Sequence, residues 1–324
     1  MQSTIEIYPQ INLKPRRAIR GMSAVLLPYA DENRIDWKAF ESHLQRTFDC
    51  GLVPAVNMDT GFGNLLDDAS KKEVLQRSKE IAADRDFVAG VFIGDQPGDA
   101  LNVMAYLQRM EPILEAKAMP ILFPSYGLAA ASDSELLTFF ETIGRHTNRF
   151  LGFELGKMFV PCGRIFPLNI FRDLLQIKEC VGLKHSSLSR QLEWDRLAIR
   201  DRVRPEFMLL TGNDLAIDMV MYGSDYLLGL STFAPDWFAL RDHWWQQGDP
   251  RFHTLNDFLQ YLGHFTFRKP VPAYKHSAAQ FLQLRGWLGS DLIHPQSPRR
   301  PDSDKEILGK IKEQIEEFLS EQGK

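Results

Sequence analysis

The sequence predicts an α/β protein, a (β/α)8 TIM barrel with a C-terminal helical extension, on three observations. Short apolar, β-branched runs alternate with longer segments of helical period, eight of each in strict βα order. The runs are apolar nearly throughout, as strands of a parallel sheet must be when both faces are buried. The first run leads into Pro28-Tyr29-Ala30-Asp31, where an open doubly wound sheet would carry a glycine-rich phosphate turn. Eight such units close into a barrel.

In chain order the strand runs occupy residues 22–28, 53–57, 87–93, 120–123, 150–155, 181–185, 207–211 and 226–230. The helical stretches between and after them are 36–50, 70–82, 100–116, 134–146, 168–177, 188–200, 214–222 and 235–247. Alternation stops after Gln247, and three helices at 251–266, 272–287 and 304–320 follow without strands. The last is amphipathic: Ile307, Leu308, Ile311, Ile315, Phe318 and Leu319 share one face, and Asp304 complements the helix dipole at its start. The proline-rich segment 295–301 reads as a linker. The chain thus divides into an N-terminal arm (1–19), the barrel (20–247) and the extension (248–324).

Composition narrows the function. With 38 basic against 42 acidic side chains and a net charge of −4, the chain lacks the basic excess of a dedicated nucleic-acid binder. Its three cysteines, Cys50, Cys162 and Cys180, form no CxxC pair, which argues against a disulfide framework or a zinc site. The eight histidines are scattered, and His43, His146 and His276, on predicted helices, have no acidic partner at metal-site spacing, so no metal or other cofactor is expected. No apolar run reaches the ~18 residues of a membrane span. The first twenty residues hold Glu6, Lys14, Arg16, Arg17 and Arg20 without the apolar stretch of a secretory signal, and the setting is read as cytoplasmic. Trp237, Phe238, Trp244 and Trp245 fall at helical spacing and read as a helix or subunit contact.

A barrel of this kind works at the C-terminal ends of its strands. The polar residues expected there are Asp59 and Thr60 after the second strand, Ser125 and Tyr126 after the fourth, and Glu154 on the fifth. The sixth ends in Lys184-His185-Ser186-Ser187, the seventh in Gly212-Asn213-Asp214, and Gly229 stands on the eighth. Lys184 is the most informative. It lies in an apolar strand, where an ammonium is costly unless paired or neutralised. Desolvation lowers a lysine pKa, and a neutral amine at a barrel mouth can attack a carbonyl to form a Schiff base. An ion pair with Glu154 or Asp214 is the alternative.

Six segments, in order and in spacing, carry a family resemblance: Gly21-Met-Ser-Ala, Asp59-Thr60-Gly61, Pro124-Ser125-Tyr126, Gly182-Leu183-Lys184, Gly212-Asn213-Asp214 and Lys269-Pro-Val-Pro272. Together they resemble the dihydrodipicolinate synthase/N-acetylneuraminate lyase family of class I aldolases over most of the chain. The resemblance implies a carbon–carbon or carbon–oxygen lyase in which Lys184 forms an imine with pyruvate or another 2-keto acid. It further implies an aldehyde as second substrate, Thr60 and nearby backbone amides on the keto acid's carboxylate, and a homodimer or homotetramer. Tyr126 would correspond to a tyrosine that reaches into the neighbouring subunit's site. Asp59, Gly61, Gly212 and Gly229 would border the substrate.

The sequence also departs from the family. Asp59 replaces a hydroxyl that relays protons, and the fifth strand reads Gly152-Phe153-Glu154-Leu155, without the tyrosine that serves as acid/base. Glu154 is therefore the expected acid/base, with two other roles open to it: a counter-ion to Lys184, or a side chain facing the helices. Alternation admits only one of Phe153 and Glu154 to the interior. His185 alternates away from Lys184 and is expected to pack. Asn213 and Asp214 are expected to cap the following helix. Two functions follow: a Schiff-base aldolase or dehydratase on a sugar-derived or aromatic 2-keto acid, or an altered barrel that binds keto acids without turnover. Dihydrodipicolinate synthesis itself is disfavoured by the missing tyrosine.

Overall fold

The computed structural model describes residues 13–322, so positions 1–12 of the expected N-terminal arm lie outside the described residues. The chain enters the barrel at β1 (Gly21–Ala24), and a small hairpin of β2 (Tyr29–Asp31) and β3 (Arg34–Ile35) precedes α1 (Trp37–Asp49). Then come β4 (Val53–Val56), α2 (Asp68–Ala82), β5 (Val88–Val91), α3 (Val103–Glu115) and β6 (Met119–Leu122). The short α4 (Tyr126–Ala130) and α5 (Asp133–Gly144) lead to β7 (Phe150–Leu155), α6 (Leu168–Leu174), β8 (Cys180–Ser186) and α7 (Arg190–Val203). After β9 (Met208–Thr211) and β10 (Asp225–Leu228) the helices are α8 (Pro235–Gln247), α9 (Arg251–Thr266), α10 (Tyr274–Leu284) and α11 (Asp304–Gln322).

Eight parallel strands close in the order β1-β10-β9-β8-β7-β6-β5-β4, as the alternation predicts. Two of the differences from expectation have local reasons. The first apolar run is longer than its strand, because Leu26 N–H turns out of the ladder to the Thr232 hydroxyl (3.0 Å). Between β9 and β10 the connection is a 3-10 helix, Ile217–Tyr222, closed by Gly223 at φ 111°, a left-handed conformation suited to glycine. Local capping defines several helix starts: Asp36 receives Ala39 N–H, Asp67 receives Ser70 N–H, and Ser132 with Glu135 forms a capping box.

The core has two shells. Met22, Ala55, Val88, Ile121, Leu151 and Leu210 fill the barrel interior. Larger side chains, among them Phe40, Tyr106, Phe140 and Phe171, pack between strands and helices. The tryptophans of α8 join the extension to the barrel: Trp237 packs on Phe281 of α10, Trp244 on Phe318 of α11 and Trp245 on Phe252 of α9. Arg285 reinforces this seam. It lies against the rings of Trp237 (4.1 Å) and Trp287 (3.8 Å) and holds both oxygens of Asp236 (2.7 and 2.6 Å). On α11, Leu308, Ile311 and Ile315 are buried as expected, whereas Ile307 is 40% exposed and lies off the packed face. Among the described residues no helix is long and apolar enough to cross a membrane.

Because Ile315 is fully buried, Ile315→Ala should cost about 2–5 kcal/mol. Denaturant unfolding checks this, and a variant as stable as the parent would show that α11 contributes nothing to the domain.

Candidate active site

Lys184 projects into the barrel mouth. It pairs with Phe153 on β7 and Leu210 on β9, and its Nζ lies 4.4 Å from the centre of the Phe153 ring. Among the described residues no ion pair or hydrogen bond engages that ammonium. Burial pushes its pKa down to about 8 against the opposing charges of Asp214 and Asp59. Gly212 on the neighbouring strand leaves it room: a Cβ there would stand 2.6 Å from Lys184 Cε and 2.1 Å from Ser186 Oγ.

A second cluster faces the same mouth. Tyr274, at the start of α10, places its hydroxyl 2.8 Å from Thr60 Oγ1 and 3.3 Å from Asp59 Oδ2. Lys275 donates to Asp59 Oδ1 at 3.1 Å; the lysine is buried and the aspartate half exposed. The Tyr274 ring stacks on Phe267 at 4.3 Å and passes over Gly229, where a Cβ would lie 3.2 Å from the hydroxyl. Burial, then the Asp59 charge, raise the phenol well above its ordinary range, with the Thr60 hydrogen bond opposing. Asp214 does not cap the helix that follows it, contrary to expectation. Its carboxylate receives Leu230 N–H (2.7 Å), at the start of the 3-10 helix Leu230–Phe233 after β10, and burial pushes it up to about 6.

The turn after β4 differs from the expected anion cradle. The amides of Gly61 and Gly63 donate to Met58 O, and that of Phe62 donates to Asp59 O, so these three N–H groups are engaged within the turn. Thr60, buried, is what this turn offers a ligand. A Cβ on Gly61 would stand 3.0 Å from Val25 O, so the turn packs closely on the chain after β1. On the opposite side the mouth is aromatic. The Phe153 ring is edge-on to Phe123 at 5.0 Å, and Phe123 stacks on Phe92 at 3.7 Å.

Glu154 corrects the sequence-based expectation of an acid/base. Phe153 takes the inward position, so alternation turns Glu154 outward between β7 and α7. There Arg196 grips it with Nε (2.5 Å) and a terminal nitrogen (2.9 Å), and Phe166 N–H donates at 2.8 Å. His185 Nδ1 lies 2.5 Å from the same carboxylate and its Nε2 lies 2.6 Å from Ser187 Oγ. Burial would raise Glu154, but His185 and Arg196 outweigh it and hold the carboxyl below the usual range. The Ser187-His185-Glu154 connectivity matches that of a hydrolase triad. Here it is structural: Ser187 is buried and its oxygen accepts Ser189 N–H (3.1 Å), which orders the turn from β8 into α7.

Tyr126 opens α4, where its amide donates to Asp95 Oδ1 (2.9 Å). With Lys157, Met158, Cys162 and Arg164 it lines a cavity of about 600 Å³ over the β6 and β7 loops. Arg164 is committed to Asp133 at 2.6 Å. The structure therefore brings together Lys184, Thr60, Asp59, Gly212 and Gly229, and sets Glu154 apart. Tyr274 and Lys275 were not singled out from sequence. They stand one residue beyond the Lys269-Pro-Val-Pro272 motif, and that position is the available signal.

No family model matches the sequence, and no curated protein matches it. Solved structures do match in fold. Dihydrodipicolinate synthase from Thermotoga maritima is 14% identical with a TM-score of 0.75, over 92% of this chain and 99% of that one. A prophage protein of the dihydrodipicolinic acid synthase family from E. coli K12, in complex with pyruvate, is 14% identical with a TM-score of 0.78, over 92% and 98%. Chloride-inhibited dihydrodipicolinate synthase from Acinetobacter baumannii, also complexed with pyruvate, is 14% identical with a TM-score of 0.73, over 91% and 98%. The chain has the fold of these structures, barrel and C-terminal helices together.

Removing the Glu154 carboxylate strands a buried guanidinium, so Glu154→Ala should lose about 3–5 kcal/mol. Because the folded-state pKa is lowered, the carboxylate's contribution is complete above the ordinary glutamate range and is lost as pH falls through the lowered value. The stability gap between the parent and Glu154→Gln should therefore close below about pH 4. Urea titrations across pH test this, and a gap that widens in acid would contradict it.

Proposed function

We propose that the protein is a Schiff-base-forming lyase or synthase of the class I aldolase type, acting on a 2-keto acid through Lys184. The observation that carries this reading is a lysine inside a closed barrel, at the C-terminal end of its strand, lowered to about 8 by burial and, among the described residues, engaged by no counter-ion within bonding distance. A structural lysine would be paired; this one is left available as a nucleophile. The six family motifs and the fold shared with pyruvate-bound structures support the same reading.

The amine adds to the ketone, water leaves, and the resulting imine loses a C3 proton to give an enamine. The enamine then joins or releases an aldehyde, or an elimination follows. Thr60 receives the keto acid's carboxylate, and Lys275 offsets the like charge of Asp59 beside it. The aromatic side formed by Phe92, Phe123 and Phe153 favours an apolar or aromatic group beyond C3 over a polyhydroxylated one.

Borohydride reduction with a panel of 2-keto acids, followed by mass measurement, tests the reading. An adduct on Lys184 is expected, absent from Lys184→Ala. No adduct from any member of the panel by the folded parent would overturn the Schiff-base function and leave a keto-acid-binding barrel. Since the lysine attacks as the neutral amine, the rate of imine formation should rise with pH and level off above about 8. Aryl-substituted keto acids should surpass sugar acids in kcat/KM by ~10-fold or more, and Phe123→Ala should erase that preference.

A further inference from the structure

The fold places no proton-transferring group on β7 beside Lys184, because Phe153 occupies the inward position. Tyr274 stands on the opposite side of the mouth. Its hydroxyl passes over Gly229 at the end of β10, while Lys184 passes over Gly212 at the end of the adjacent β9. Asp59 and Asp214 act electrostatically on both side chains. The hydroxyl is held from two directions, by Thr60 Oγ1 at 2.8 Å and Asp59 Oδ2 at 3.3 Å. Asp59 is itself fixed by Lys275 and keeps 49% of its side chain exposed. The buried phenol is therefore one hydrogen bond from a carboxylate that meets bulk water.

We propose that Tyr274, supplied by the C-terminal extension, is the catalytic acid/base of the imine chemistry, and that Asp59 is the relay that exchanges its proton with solvent. This rests on the Schiff-base reading of Lys184. In the addition step Nζ bonds to the carbonyl carbon and the carbonyl electron pair moves onto oxygen. The phenol gives its proton to that oxygen, the nitrogen gives up a proton to solvent, and Asp59 returns a proton from solvent to Tyr274. In dehydration the phenol protonates the new hydroxyl, the C–O bond breaks, the nitrogen lone pair completes C=N and water leaves. Asp59 again returns a proton to Tyr274. Burial disfavours a free tyrosinate, so the proton passes through the phenol and does not leave it charged. The arrangement also accounts for Asp59 in a place where a carboxylate beside a substrate carboxylate would repel: it is turned toward Tyr274 and Lys275.

The test times borohydride trapping of pyruvate and follows C3 proton exchange of pyruvate in D2O by NMR, which reports enamine formation. Tyr274→Phe should reach the parent's final adduct yield about 10²–10⁴-fold more slowly, with C3 exchange slowed in parallel. Asp59→Asn, at a half-exposed position that leaves the ring packing intact, should slow both steps and alter their pH profile, which a merely structural role for Asp59 would not do. Trapping and exchange at the parent's rates in Tyr274→Phe overturn the assignment while leaving the Schiff-base reading standing. If Tyr274→Phe does not fold, parent rates and an unchanged pH profile in Asp59→Asn overturn the relay. Failure of the parent itself to trap any keto acid overturns the underlying function instead.

Discussion

Strand alternation in a closed barrel governs how the site is assembled. On β7 and β8 the paired positions Phe153 and Lys184 point inward and the next pair, Glu154 and His185, points outward. A shift of one residue would exchange the two sets, placing a charged, hydrogen-bonded pair in the mouth and the lysine against the helices. The outward pair helps to hold this register. Glu154 satisfies Arg196, Phe166 N–H and His185 together, and those contacts exist only while Glu154 faces α7. The buried ion cluster and the available lysine are two consequences of one register.

The state of the lysine follows from what surrounds it. An aromatic ring lies beneath its ammonium, a glycine flanks its aliphatic chain, and the carboxylates of Asp214 and Asp59 act on it without pairing. A closer carboxylate would hold the proton on nitrogen, and none at all would leave a deeply destabilised cation. The structure sits between these limits, which suits a nucleophile near neutral pH.

In the proposed chemistry the C-terminal extension takes part, held in place by its aromatic seam. Trp237, Trp244 and Trp245 fix α9, α10 and α11 to the last barrel helix, and this seam sets the position from which Tyr274 reaches Thr60. A barrel that lacks a hydroxyl on its fifth strand can thus receive one from outside its strands. The proposed dependence on Asp59 then joins two departures from the pattern the sequence resembles, one at the second strand and one at the fifth, into a single rearrangement.

The barrel was legible from the chain because eight apolar runs with helices between them leave few other ways to bury both faces of every strand. Lys184 was legible because a charge in such a run demands an explanation. Residues 235–247 and 251–266 matched their helices at both ends, since amphipathic period and local breakers are encoded nearby. The direction of Glu154 stayed open, and its expected acid/base role failed, because alternation specifies that one of two neighbours faces inward without saying which, and that choice depends on Arg196, 42 residues away. The role of Asp214 and the meeting of Tyr274 with Thr60 were likewise beyond local reading. The sequence alone determined the strand and helix order and the one lysine that must be accommodated. The tertiary structure decided what surrounds that lysine, because Thr60 and Tyr274 meet at the mouth only through barrel closure and the packing of α10, a contact that spans more than two hundred residues of chain.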